Sequence, residues 1–307
     1  MIFAYPFYLK AIDSIMLSYG SASPFVNPES IPIALSYFHT AFNVSNVLIM
    51  IWFVPLLVKL AIKMVPSKGE DDEDFNLEFI GGGLLQTPEI SLAEAQNEII
   101  KFGKLNAKGV DKISELIEET TFKKQQKLLD KIKDYEEHSD LIEVKVAEFL
   151  MEVSKSPLTE NASRKIQSYL SVVNHMESIG DIYYSMSKSV ERMNDKDIKF
   201  DKTKHESLRE MKELVKLSMD FMMSNIPMDE NDIELDKAIE LELVINKKRD
   251  KLRSKNFKNI EKGKVGLDSG LIYMDLISGY EKIADHTIDI SKSLRGDHID
   301  IEEEVHE

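Results

Sequence analysis

The sequence contains no cysteine, so disulfides and thiolate metal sites are excluded and cysteine usage gives no clue to compartment. Positive charge is scarce and unclustered. Residues 1–65 hold three of the 39 basic residues and two of the 54 acidic ones, which leaves 36 basic against 52 acidic residues from position 66 onward. Nucleic acid rewards clustered Lys and Arg, so an acidic body of this kind argues against a nucleic-acid partner. It is compatible with cation binding as well as with a merely soluble surface. No stretch alternates apolar and polar residues as a half-buried strand does. Catalytic signatures are missing too: there is no serine nucleophile with a helper base, and Gly81-Gly82-Gly83 matches neither phosphate-binding loop motif. The one Glu-x-x-His spacing, Glu303 to His306, falls in the acidic tail. The chain is therefore not read as an enzyme.

One absence is local. From Ile31 to Val58 there is no Asp, Glu, Lys or Arg, and about 20 apolar residues suffice to cross a bilayer. The polar cluster around His39 and Asn43 interrupts this run, which suggests two helical pieces meeting near Asn43, with a full span over 47–65. A single long tilted helix is the alternative. Polar groups at membrane depth need cover from protein or a water-filled cavity, which makes His39 and Asn43 candidate polar positions of a transport path. Residues 2–19 are apolar but carry Lys10 and Asp13 and lack a basic start, unlike a signal peptide. Lys59, Lys63 and Lys68 follow the span, whereas residues 20–30 contain no Lys or Arg. The positive end stays inside, so the acidic body is expected in the cytoplasm. Residues 66–88, with the run Glu70-Asp71-Asp72-Glu73-Asp74, read as an acidic, Gly-rich linker.

Beyond the linker, breakers are confined to Ser156-Pro157, 194–201, 225–227 and Lys262-Gly263. Apolar residues recur at three- and four-residue spacing between them, as at Ile142, Val146, Phe149, Leu150 and Val153. Thr87-Pro88 supplies a cap and an N1 proline, and Ser91-Leu-Ala-Glu94 fits a capping box. Six helices are expected, near 89–117, 121–155, 159–193, 203–224, 231–254 and 264–292. Met211, Met219, Met222 and Met223 are expected to fill the core between them.

Within this region a pattern occurs twice. Glu177-Ser-Ile-Gly-Asp181 and Glu281-Lys-Ile-Ala-Asp285 both read Glu-x-Ile-small-Asp, and each is preceded by a second pair, Glu136/Asp140 and Glu242/Asn246. Glu136 and Glu242 are 106 residues apart, and Glu177 and Glu281 are 104 apart, which marks a tandem duplication of two three-helix units. Residues four apart share a helix face, so each pair forms an acidic stripe, and Gly180 or Ala284 beside it admits a close neighbouring helix. Like charges at that spacing repel, and bound cations would offset the repulsion. Oxygen ligands of this kind suit Mg, Ca, Mn or non-haem iron. The candidate metal ligands are Glu136, Asp140, Glu177, Asp181, Glu242, Glu281 and Asp285, with Asn246 as a carbonyl ligand that brings no charge. Stripes that simply face water are the alternative. His138, His175 and His286 lie beside the stripes rather than on them and are read as surface side chains.

These four motifs resemble those of the PhoU family, whose members are paired three-helix bundles that bind multinuclear metal clusters and regulate phosphate uptake. The stretch Ala34-Leu-Ser-Tyr-Phe-His39-Thr-Ala-Phe-Asn43, the following Trp52-Phe-Val-Pro55 and the junction Gln86-Thr-Pro88-Glu89-Ile-Ser-Leu-Ala-Glu94 resemble the end of bacterial sodium/phosphate cotransporters that carry a PhoU-like domain. The resemblance implies an all-α chain: membrane helices in 1–65, the linker 66–88, and a PhoU-like domain of two tandem three-helix bundles in 89–295. It further implies a multi-pass protein of the inner membrane, divalent or ferric cations at the stripes, sodium and phosphate as partners through the complete transporter, and self-association as a homo-oligomer. That family's Gln-Ser-Ser signature does not occur here, and Asn246 stands where an Asp is expected. Transport is therefore not expected of this polypeptide alone; a membrane-anchored regulator is the other reading.

Overall fold

The computed structural model describes residues 5–64, 77, 80 and 87–296, and every regular element among them is helical. The chain divides into two compact units, Met1–Asp74 and Phe75–Glu307. In the first, α1 (Tyr5–Ser18) packs on α2 (Ile31–Met64). Tyr8 meets Phe38 and Phe42 edge-on, and Ile12 and Met16 are buried. The intervening turn is fixed by Ser23 Oγ donating to Asp13 Oδ1 at 2.6 Å and by the Asn27 side chain capping the 3-10 turn Pro28–Ser30.

The expected break near Asn43 is not there: α2 is continuous. Polar side chains need not interrupt a helix when the preceding turn can satisfy them, as Thr40 Oγ1 does by donating to Ser36 O at 3.0 Å. His39 and Asn43 lie on α2 and are exposed. Val65, Lys68, the tail carrying Glu303 and His306, and the expected linker, apart from Leu77, Ile80, Thr87 and Pro88, lie outside the described residues. Leu77 and Ile80 pack against the core of the second unit.

That second unit holds α3 (Pro88–Glu118), α4 (Phe122–Val153), α5 (Glu160–Asp195), α6 (Lys202–Asn225), α7 (Leu235–Glu261) and α8 (Leu267–Arg295). Helices α3–α5 pack on one another, as do α6–α8, and the two bundles join chiefly through α5 against α8, with α3 against α6. Start and stop signals account for the ends. Thr159 and Asp201 side chains accept from the backbone N–H groups of Ala162 and Lys204, and Gly296 at φ +81° closes α8 in the left-handed region that Gly adopts freely. Thr87 occupies the cap of α3 without a side-chain bond, and Ser91 lies buried inside the helix, so the expected capping box does not form. Met211, Met219 and Met222 are buried in the core, and Met223 packs against it.

Candidate metal centre

Helices α4 and α5 are packed neighbours within the first bundle, and Gly180 lies where they come close. A Cβ there would sit 2.6 Å from Ser139 Oγ and 3.0 Å from Ser139 Cβ, so the small residue is what brings the two acidic stripes together. Carboxylate oxygens of Glu136 and Asp140 on α4 and of Asp181 on α5 all lie within 4.8 Å of one another. Opposed oxygen ligands are about 4.2 Å apart around Mg²⁺ and about 4.8 Å apart around Ca²⁺, so one hard cation fits this span. Glu177, one turn from Asp181, accepts from Ser178 Oγ at 3.4 Å.

Electrostatics at this group run against charge. Burial raises the Glu136 carboxyl above its ordinary range, and Asp140 and Asp181 push it further. Asp140 is raised by burial and by Asp181, and Glu177 by burial and then by Asp181 and Asp140. Glu143, one turn beyond Asp140, also acts on Glu177. No Lys or Arg forms an ion pair with Glu136, Asp140, Glu177 or Asp181 among the described residues. Two further polar atoms are unspent. Ser139 Oγ and Tyr183 Oη are buried without a hydrogen-bond partner, and both flank Gly180. An unbalanced carboxylate group beside orphaned hydroxyls is a donor set that a hard cation and its bound water would satisfy.

The second set is built differently. Glu242 on α7 acts on Asp285 of α8, which also feels Glu281, but the Arg249 guanidinium pairs with Glu281. Arg249 follows Glu242 by seven residues and shares its face. In the duplication its counterpart is Glu143, so one set has five carboxylates where the other has three and a guanidinium. Asp285 is raised to about 6, first by burial and then by Glu281 and Glu242, with Arg249 acting in the opposite direction. The buried Asn246 Oδ1 has no partner. Among the described residues the close three-carboxylate grouping occurs in the first set and not in the second.

Two of the three histidines depart from their sequence reading. His138 Nδ1 bonds to Asp134 O within its own helix, but His175 and His286 are half-buried and meet across the seam between α5 and α8, with Nδ1 to Nδ1 at 3.1 Å. The duplication could not have shown this. The repeat counterpart of His175 is Gly279 and that of His286 is Ile182, so the pair follows no internal symmetry. A cleft of about 460 Å³ between α3 and α6 holds none of the stripes, and two of the cations that line it are already paired, Arg209 with Glu118 at 2.7 Å and Lys212 with Asp111 at 2.8 Å.

With this geometry in hand, the chain can be set beside known proteins. No protein-family model matches it, and no curated protein sequence does. Its fold is similar to the crystal structure of the phosphate transport system regulatory protein PhoU from Streptococcus pneumoniae, with a TM-score of 0.57 at 17% identity, over 67% of this chain and 94% of that one. The six-helix body thus has a PhoU-like fold.

Proposed function

We propose that this chain is the C-terminal portion of a sodium-dependent phosphate transporter, in which a membrane segment carries a cytoplasmic PhoU-like regulatory domain. The observation that carries the reading is the joining, in one polypeptide, of a PhoU-like fold with a helix long and apolar enough to cross a membrane, Pro28–Val54. Side chains of that helix such as Trp52, 86% exposed, find no cover among the described residues of the first unit, as suits a helix whose solvent is lipid. The regulatory role rests on cation binding by the acidic stripes. Glu136, Asp140 and Asp181 would hold the ion with Glu177 and Glu143 adding charge, while Glu242, Glu281 and Asp285 form a weaker set because Arg249 already balances Glu281. Bound cation would supply positive charge that locks α4 against α5.

A second reading, a membrane-anchored metal-binding regulator of phosphate uptake that does not itself transport, rests on the close carboxylate group of Glu136, Asp140 and Asp181 alone. Transport by alternating access needs paired repeats around the substrate site. Sodium-driven uptake of labelled phosphate tests the link to phosphate. Vesicles containing this polypeptide alone are expected to take up none. In the native host, deleting the segment that encodes residues 87–296 is expected to change phosphate uptake or its response to external phosphate. Unchanged uptake in cells shown to have lost the domain would refute the phosphate assignment.

A further inference from the structure

The seam between α5 and α8 carries a group that the acidic stripes do not use. His286 and Asp289 are three apart on α8 and share one face, and His175 comes from α5 opposite them. One ligand atom from each of the three lies within 4.8 Å of the other two. The two Nδ1 atoms are 3.1 Å apart. Two imidazole nitrogens on a tetrahedral zinc ion are about 3.3 Å apart, so a small movement of the rings admits the metal.

The surroundings favour neutral rings and a cation between them. Burial lowers the pKa of both histidines, and the Asp289 carboxylate acts on each in the opposite direction, drawing positive charge to the space between the rings. Neutral imidazole is the metal-binding form. Asp289 brings negative charge to the group, and Lys292 Nζ holds its Oδ1 at 3.3 Å, an outer contact of the kind that orients a ligating carboxylate. The stripes offer only oxygen, whereas this group offers two nitrogens and an oxygen, which selects a different class of metal.

We propose that His175, His286 and Asp289 form a site for a divalent transition metal of the zinc class that clamps α5 to α8 across the junction of the two bundles, with a further coordination position open to solvent. The site does not depend on phosphate regulation or on the acidic stripes. Its occupant would stabilise the joined arrangement of the bundles rather than either bundle alone.

The test is Zn²⁺ titration, in competition with a chromogenic chelator, of the tag-free full chain in detergent after metal stripping. The parent and the triple variant Glu136→Gln/Asp140→Asn/Asp181→Asn are both expected to bind one tight equivalent. In His286→Gln that equivalent is expected to weaken by about 100-fold or more, while its Mn²⁺ binding stays that of the parent. Imidazole ¹⁵N resonances of the unsubstituted chain give a readout independent of any variant, since two histidines should shift on adding Zn²⁺. Zinc binding by His286→Gln equal to that of the parent, loss of the tight equivalent in the acidic triple variant alone, or unmoved imidazole resonances would each overturn the assignment.

Discussion

Replacing Glu136 with Gln should stabilise the metal-free protein and weaken its response to cations. Gln matches Glu in shape and in helix propensity, so the substitution removes charge and little else. Glu136 has two carboxylate neighbours, Asp140 and Asp181, within 4.8 Å. At that distance two unit charges in water repel by about 0.9 kcal/mol, and physiological salt screens this to roughly half. Two such pairs make the expected gain about 1 kcal/mol, or a rise in Tm of about 2–4 °C for a body of this size. The sign depends on pH. Because the folded-state pKa of Glu136 is raised, its contribution to stability is fully present below the ordinary carboxylate value and is lost as pH rises through the folded value. The advantage of Glu136→Gln should therefore be seen at about pH 7 and vanish at about pH 4. With Mn²⁺ at a hundredfold excess over its Kd, the parent should gain about 2.7 kcal/mol. Loss of one ligand, at a tenfold or greater cost in affinity, should cut that gain to about 1.4 kcal/mol or less. Helical circular dichroism during heating, with chelator and then with Mn²⁺, measures both. A metal-free Glu136→Gln protein less stable than the parent at about pH 7, or one that gains as much from Mn²⁺, would refute the reasoning.

Other consequences concern the second set and the α4–α5 contact. In chelator, the stability of the parent should fall as pH rises through about 6, where Asp285 loses its proton, and Asp285→Asn should flatten that part of the profile in urea titrations at a series of pH values. Arg249→Gln leaves the largely buried Glu281 without its partner and should cost about 1–3 kcal/mol while raising cation affinity at the α7–α8 stripe, as read by isothermal titration. Gly180→Leu would force a side chain against Ser139. It should cost about 1–3 kcal/mol and weaken Mn²⁺ binding by separating ligands that it does not remove.

Much of this architecture is legible in the sequence because helices α4 to α7 end where breakers stand. The α7 boundary shows the limit: the apolar spacing suggests a stop near 254, but the helix runs to Glu261 and ends at Lys262-Gly263, the local signal that turns the chain, with Gly263 at φ +65°. The cluster around Asn43 misleads in the opposite way, since a polar side chain can bond back to its own helix and leave it unbroken. The acidic stripes are legible from four-residue spacing, and their duplication marks them as a set. What faces them is not legible in the same way. Arg249 becomes a partner of Glu281 only once α7 lies beside α8, and His175 meets His286 across 111 residues through a junction that the repeat does not encode.

Regulation through the acidic stripes requires cations to gather at the first acidic set in preference to the second. Crystals of the full chain grown with Mn²⁺ and measured for anomalous scattering test this directly. The strongest peak is expected between Glu136, Asp140 and Asp181, with a weaker one or none between Glu242, Glu281 and Asp285. Equal peaks at the two sets, or none at the first, would contradict it.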